Sequence, residues 1–254
     1  AGAQVKLWPM SQPQLVLHVI PFSHPCLAVS GALDRLGYEY ETVRLITGQQ
    51  AEEVERVYGE ERRTVPGLLV DDEPVHGTAA IFARLDELNP DAGLYPGALA
   101  EAIREAEPAL AEELQMSARV LVFGAMHFRP ESMGTFAGAA QLDPAGVDFA
   151  IKSMRAAWRY LGIDAQRVHA TLQELPAQLD AVEALLEAGV VGGEEPTAAD
   201  FQLGSSLHLL VQIADVRPLV EERPAARLLS LFEPGKGDVS VGAFPPGWVP
   251  APRS

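Results

Sequence analysis

The sequence predicts two domains of different class: an α/β unit of order β-α-β-α-β-β-α, followed by an all-helical half. Three observations lead there. Between Leu15 and Leu88, short apolar or alternating runs of strand character trade places with segments whose apolar residues recur at helical spacing. Beyond Gly93-Leu-Tyr-Pro-Gly97 the strand signals almost vanish, and Ala/Leu/Glu-rich helical patterns take over. At 254 residues the chain is long enough for two modest cores.

The elements follow in order. LVLHVI, Leu15 to Ile20, is rich in β-branched residues and stopped by Pro21, the pattern of a buried strand. Pro25 suits a first helical turn with Ser23 or His24 as cap; Val29, Ala32, Leu33 and Leu36 then recur on one face, and Gly37 supplies a stop. Tyr38 to Leu45 alternates as a second strand, and Val54, Val57 and Tyr58 give a short second helix its inner face. Gly67 to Val70 and Pro74 to His76 read as strands around an Asp71-Asp72-Glu73 turn, a hairpin that makes the sheet mixed, with helices on its faces. Ile81, Leu85 and Leu88 mark a third helix, with Thr78 as its expected cap and Pro90 beyond its end.

In the second half, helices are predicted over Ala98 to Phe123, Pro144 to Tyr160, Ala165 to Ala188, Thr197 to Ile213 and Pro218 to Leu231. The Gly-rich segment HFRPESMGTFAGAAQLD is expected to be a loop, and AFPPGWVPAP a tail laid over the surface or left mobile. The domain reading is therefore 14–92, 97–232 and a Pro/Gly-rich tail, 233–254.

Composition limits what such a protein does. Hydrophobic residues are 48% and charged residues 21%, ordinary for a globular chain. Nineteen basic against thirty-five acidic residues leave a formal charge of -16, which argues against nucleic acid and anionic membranes as partners. One cysteine, Cys26, rules out an internal disulfide and any multi-cysteine metal site, and a cytoplasmic setting is the economical expectation. No apolar run approaches a bilayer span, and AGAQVKLWPMSQPQ lacks the basic-then-apolar order of a signal peptide. The six histidines form no i, i+4 pair with acidic support, so no metal is expected.

Chemistry centres on Ser23-His-Pro-Cys26. A helix N-terminus carries about half a positive charge and free N–H groups, so a thiolate held there is stabilised. Where a redox protein places its attacking cysteine, this chain has Ser23. The residue types leave two readings of Ser23, a plain N-cap or a donor to a ligand's sulfur, and two of Cys26, a small buried helix residue or a reactive thiol. Thr197-Ala-Ala-Asp200 has the pattern of a capping box and is read as structural. Arg62 and Arg63 read either as an anion attractor or as a solvated pair. Phe123, Met126 and Phe128 read either as core or as lining for an apolar acceptor.

Four motifs in order carry a resemblance across roughly Leu15 to Leu231: Ser23-His-Pro-Cys26 after the first strand, Val65-Pro66, Gly77-Thr78-Ala79-Ala80-Ile81 opening the third helix, and Thr197-Ala-Ala-Asp200 in the second half. In these the chain resembles the cytosolic glutathione transferase superfamily. The resemblance implies a thioredoxin-like βαβαββα domain followed by an all-helical glutathione-transferase-type C-terminal domain. It further implies a cis bond at Val65-Pro66, with Val65 pairing its main chain with the cysteinyl part of glutathione, and Thr78 and Gly77 anchoring the γ-glutamyl end. A trans Pro66 opening an edge strand is the alternative that the residues alone allow. The third motif departs from the family pattern: Gly77 stands where a carboxylate usually holds the ligand's ammonium. Loss of such a charge-assisted bond costs about 1.5–3 kcal/mol.

The function so implied is a glutathione transferase-like enzyme. Glutathione, or another low-molecular-weight thiol, serves as co-substrate; Ser23 activates it for attack on a small apolar electrophile, and the enzyme works as a homodimer. Two alternatives stand beside it. One is a non-catalytic ligand-binding or protein-interaction module of the same fold, favoured by Gly77. The other is a thiol-disulfide oxidoreductase acting through Cys26.

Overall fold

The computed structural model describes residues 13–252 and divides after Ala92 into two compact units. The stretch examined above for signal-peptide order lies almost wholly outside the described residues, as do the last two residues of the tail.

In the first unit, β1 (Leu15–Val19) is followed by α1 (His24–Leu36), β2 (Glu41–Arg44), α2 (Gln50–Tyr58), β3 (Gly67–Val70), β4 (Glu73–His76) and α3 (Thr78–Leu88). The sheet order is β2-β1-β3-β4, with β1 parallel to β2 and the other two pairings antiparallel. The register places Leu17 opposite Leu68, and Leu68 opposite Val75. Because successive strand residues point to opposite faces, Leu15 and Leu17 share one side of β1 and His18 takes the other. His18 meets Tyr58 of α2, so α2 covers that side; α1 and α3, in contact with each other, take the opposite one. There Leu15, Leu17, Val29, Leu33, Leu68, Ile81, Phe82 and Leu85 are almost wholly buried and form the core.

Local chemistry sets the helix ends. Ser23 caps α1, its Oγ accepting from the Cys26 N–H at 3.4 Å, and Gly37 ends the helix at φ 72°, ψ 29°, a left-handed conformation that glycine adopts at little cost. Thr78 is not the cap of α3. The Gly77 carbonyl accepts the first intrahelical bond, from Ile81 N–H at 3.0 Å, so Gly77 is the cap residue and Thr78 the first helical one; no side chain caps this helix. β2 is shorter than its sequence pattern: its register on β1 runs from Glu41 to Arg44, and Leu45 N–H adds one further bond to the Val19 carbonyl at 2.8 Å.

The second unit is helical: α4 (Ala100–Ala106), α5 (Glu112–Phe128), α6 (Ser132–Phe136), α7 (Pro144–Leu161), α8 (Ala165–Glu187), α9 (Ala198–Leu210) and α10 (Arg217–Glu221). The single helix expected over Ala98 to Phe123 is interrupted by a π-helical turn, Glu107–Ala111, which contains Pro108. Proline has no N–H for the α-helical ladder and crowds the preceding turn, and a widened turn accommodates it. Pro224 likewise divides the predicted last helix into α10 and a 3-10 run, Pro224–Leu231. Part of the segment expected to be a loop forms α6, which closes tightly because Gly134 leaves room for the Ala140 carbonyl.

All thirteen residues of α9 are buried, and its polar members Gln202, Ser205 and Ser206 are hydrogen-bonded within the fold. The tail is held in place: Val239 bridges to Ile213, and the Asp215 carboxylate accepts from the N–H groups of Gly242, Ala243 and Phe244 at 2.7, 2.7 and 3.1 Å. Among the described residues no helix is long and apolar enough to cross a membrane.

Candidate functional site

Three short segments of the first unit meet at one end of its sheet: the start of α1, the turn before β3 and the start of α3. The first two are joined by an apolar cluster in which Cys26, Val54 and Val65 are buried, with Val19, Ile20, Leu45 and Tyr58 packed around them. The second and third are joined by hydrogen bonds. Gly77 N–H donates to the Pro66 carbonyl at 3.0 Å, and His76 Nε2 lies 2.7 Å from the Thr64 carbonyl. The structure thus brings Val65 and Pro66 beside Gly77 and Thr78, and seats the first turn of α1 on the same cluster.

Ser23 is half-buried. Its cap bond uses an oxygen lone pair, so the hydroxyl proton remains available to a second partner, since a hydroxyl both donates and accepts. The N-cap role and the donor role are therefore compatible. Cys26, only 4% exposed, has its sulfur side in the apolar cluster. Such burial limits the access of a reagent to the thiol.

Val65 is 8% exposed, and the Val65–Pro66 bond is cis. Among the described residues neither the N–H nor the C=O of Val65 has a protein hydrogen-bond partner, although both neighbours, Thr64 and Pro66, have their carbonyls bonded. Buried main-chain groups are rarely left unmatched.

Gly77 sits at φ 91°, ψ 151°, a region open essentially to glycine alone, and its N–H is already committed to Pro66. It offers no side chain and no free N–H. The start of α3 instead presents the N–H groups of Thr78, Ala79 and Ala80, which have no protein acceptor among the described residues, with Thr78 and Ala79 half-buried. Together with the helix dipole they favour an anionic group.

Sequence reading missed the layer beneath. Tyr58 Oη is 2.7 Å from His18 Nδ1, the two rings meet edge to face at 5.5 Å, and the Tyr58 ring also lies 5.6 Å from that of His76. Burial holds the His18 imidazole below its ordinary range and pushes the Tyr58 phenol up, so both stay neutral at pH 7. A Cβ on Gly67 would collide with the Tyr58 ring, and that glycine is the one sequence mark of this packing. Among the described residues no group of His, Cys, Asp and Glu is arranged to hold a metal ion.

A four-stranded mixed sheet with a thiol-compatible helix start, joined to an all-helical unit, defines a thioredoxin-like domain with a helical partner domain. Residues 17–93 match the family model described as "Glutathione S-transferase, N-terminal domain". A glutathione transferase of Phanerochaete chrysosporium is 17% identical, covering 88% of this chain and 100% of its own, at a TM-score of 0.60. One of Ceriporiopsis subvermispora, in complex with glutathione, is 16% identical, covering 87% and 97%, at 0.58. One of Methylobacterium radiotolerans, in complex with glutathione sulfonate, is 18% identical, covering 86% of each chain, at 0.52. Comparison with curated proteins gives no match. The chain has the fold of these glutathione transferases, and the match to the N-terminal domain model falls on its first unit.

Proposed function

We propose that the protein is a glutathione transferase-like enzyme that binds a thiol tripeptide, glutathione first among candidates, and activates its sulfur for attack on a small apolar electrophile. The observation that carries this reading is the unmatched main chain of Val65, which shares a cluster with the first turn of α1, the helix that Ser23 caps. An extended cysteinyl residue would supply both missing partners, a carbonyl for the Val65 N–H and an N–H for its C=O. Its sulfur would then lie towards the start of α1. Glutathione in one of the similar structures, and glutathione sulfonate in another, support the choice of ligand.

The chemistry is differential stabilisation of charge. Ser23 Oγ–H donates to the thiolate, and the helix dipole adds its partial positive charge. Both lower the thiol pKa from about 8.5 and raise the thiolate fraction at neutral pH. The sulfur forms its bond to the electrophilic carbon while the leaving group departs with its electron pair. The carboxylate of the γ-glutamyl end is received by the N–H groups of Thr78 and Ala79. A cytoplasmic homodimer completes this reading.

A second reading keeps the fold and drops the chemistry, and Gly77 favours it: with no side chain and a spent N–H, it leaves the ligand's ammonium without a partner in that position. Calorimetric titration with glutathione and with other low-molecular-weight thiols, followed by a conjugation assay on an activated aryl halide, separates the readings. Binding with turnover supports the enzyme. Binding without turnover supports the non-catalytic reading, and no binding of any thiol overturns the enzyme and the thiol site with it.

A further inference from the structure

We infer that His76 is a positioning residue of the thiol site: by donating from Nε2 to the Thr64 carbonyl it pins the turn that presents Val65, and so sets the affinity for the thiol without touching it. The inference rests on the reading of the site just given.

Four observations carry it. His76 is the last residue of β4, one position before Gly77, and its Nε2 is 2.7 Å from Thr64 O across twelve residues of chain. A carbonyl oxygen only accepts, so Nε2 carries the proton. The next residue, Gly77, makes the matching bond to Pro66 O at 3.0 Å. Two consecutive residues of one strand end therefore hold the carbonyls on either side of Val65, and the Val65 N–H and C=O are the groups left over. The imidazole is itself steadied by the Tyr58 ring at 5.6 Å, and Tyr58 is held by His18 and by its fit over Gly67.

The bond lies at the protein surface, where a single neutral hydrogen bond contributes little to global stability. What it fixes is local: without it the 62–65 turn, which is exposed up to Thr64, is free to rotate the Thr64–Val65 peptide plane, the plane that carries the Val65 N–H. A ligand that pairs with Val65 then meets the correct backbone in only a fraction of molecules, and its affinity falls by that fraction. Glutamine carries a donor close to the position of Nε2, so it restores the bond; alanine does not.

The test measures glutathione binding by calorimetry and steady-state kinetics with an aryl halide, on full-length wild type, His76→Ala and His76→Gln, with thermal melts as a control on folding. The expected result is a five- to twentyfold weaker Kd and a matching rise in KM for His76→Ala, with kcat within about twofold of wild type, and recovery to within about threefold in His76→Gln. A folded His76→Ala with unchanged Kd overturns the inference, as does a loss falling equally on kcat and left uncorrected by glutamine. If His76→Ala does not fold, His76→Gln decides by itself: near-wild-type Kd supports the role, and a loss as large as tenfold overturns it. Failure of wild type to bind any thiol is a different outcome, which overturns the reading of the site and this inference with it.

Discussion

At the start of α9 the N–H groups of Thr197, Ala198 and Asp200 are bonded to Asp200 Oδ2, the Leu94 carbonyl and Thr197 Oγ1, at 2.7, 3.0 and 3.4 Å, and Asp200 accepts further from Gly192 N–H and the Thr197 hydroxyl. At the start of α3, Thr78, Ala79 and Ala80 have no protein acceptor among the described residues, and the cap residue has no side chain. Both are helix N-termini with the same dipole and the same surplus of donors. The first is buried and closed upon itself; the second is partly exposed and open. A buried helix start must be satisfied from within, whereas a partly exposed one can leave its donors to water or to an anion. The same motif position therefore serves stability in one unit and is available for binding in the other.

The largest effect should come from breaking the closed end. Asp200→Ala orphans three donors, two of them buried, and at about 1–3 kcal/mol for each buried unsatisfied group, partly relieved by rearrangement, the loss should be about 3 kcal/mol. Thr197→Ala removes one cap and should cost about 1–2 kcal/mol. Urea unfolding measures both, and glutathione affinity of the folded fraction should not change. A selective fall in affinity at constant stability would mean that this helix start also binds.

Giving the open end a carboxylate is the converse experiment. A Cβ at Gly77 meets nothing within 4 Å, so Gly77→Glu has room, but the backbone at φ 91°, ψ 151° is costly for any L side chain, about 1–3 kcal/mol. The variant should melt lower and, where folded, bind glutathione up to about tenfold more tightly through its ammonium. Unchanged stability would contradict the strain; weaker binding would show that the γ-glutamyl end lies elsewhere.

How much of this was legible beforehand follows from the range of the interactions. The order of elements in the first unit rests on local periodicity and turn residues, so Leu15–Val19, His24–Leu36 and the hairpin Gly67–Val70 and Glu73–His76 were readable to within a residue or two. The pairing of Thr197 with Asp200 is local as well. What could not be read was the outcome of competition between neighbours: whether Gly77 or Thr78 is the cap turns on which carbonyl Ile81 reaches, and the π turn at Glu107 depends on how the helix absorbs Pro108. The contacts of His76 with Thr64 and of Tyr58 with His18 span 12 and 40 residues, and no spacing rule announces them.

Ser23→Ala tests the donor that the site adds to its helix start. Alanine loses the cap and, on the proposed function, the donor to the ligand's sulfur, and conjugating activity should fall by about tenfold or more, roughly 1.4 kcal/mol, at neutral pH. A hydroxyl that stabilises the thiolate lowers the thiol pKa, so on the proposed function its removal moves the pH–rate profile to the alkaline side. A loss of activity at every pH without that displacement would leave Ser23 as a cap alone.

The smallest effect is expected at Cys26, the residue that a redox protein would need most. Its side chain is buried in a cluster with Val54 and Val65, against which Val19, Ile20, Leu45 and Tyr58 pack. Only its N–H takes part in the helix start, through Ser23 Oγ, and any residue supplies that N–H. Cys26→Ala is the cleaner substitution, because serine would place a hydroxyl in the apolar cluster and confuse a packing cost with a chemical one. The variant should keep conjugating activity within about twofold and lose about 1 kcal/mol of stability for the small cavity. Wild type should react with iodoacetamide much more slowly in the native state than after unfolding. Loss of activity in a Cys26→Ala protein that remains folded, together with fast native labelling, would move the chemistry from a serine-bound ligand thiol to the protein's own sulfur, and would erase the contrast between an open binding end in one unit and a closed structural end in the other.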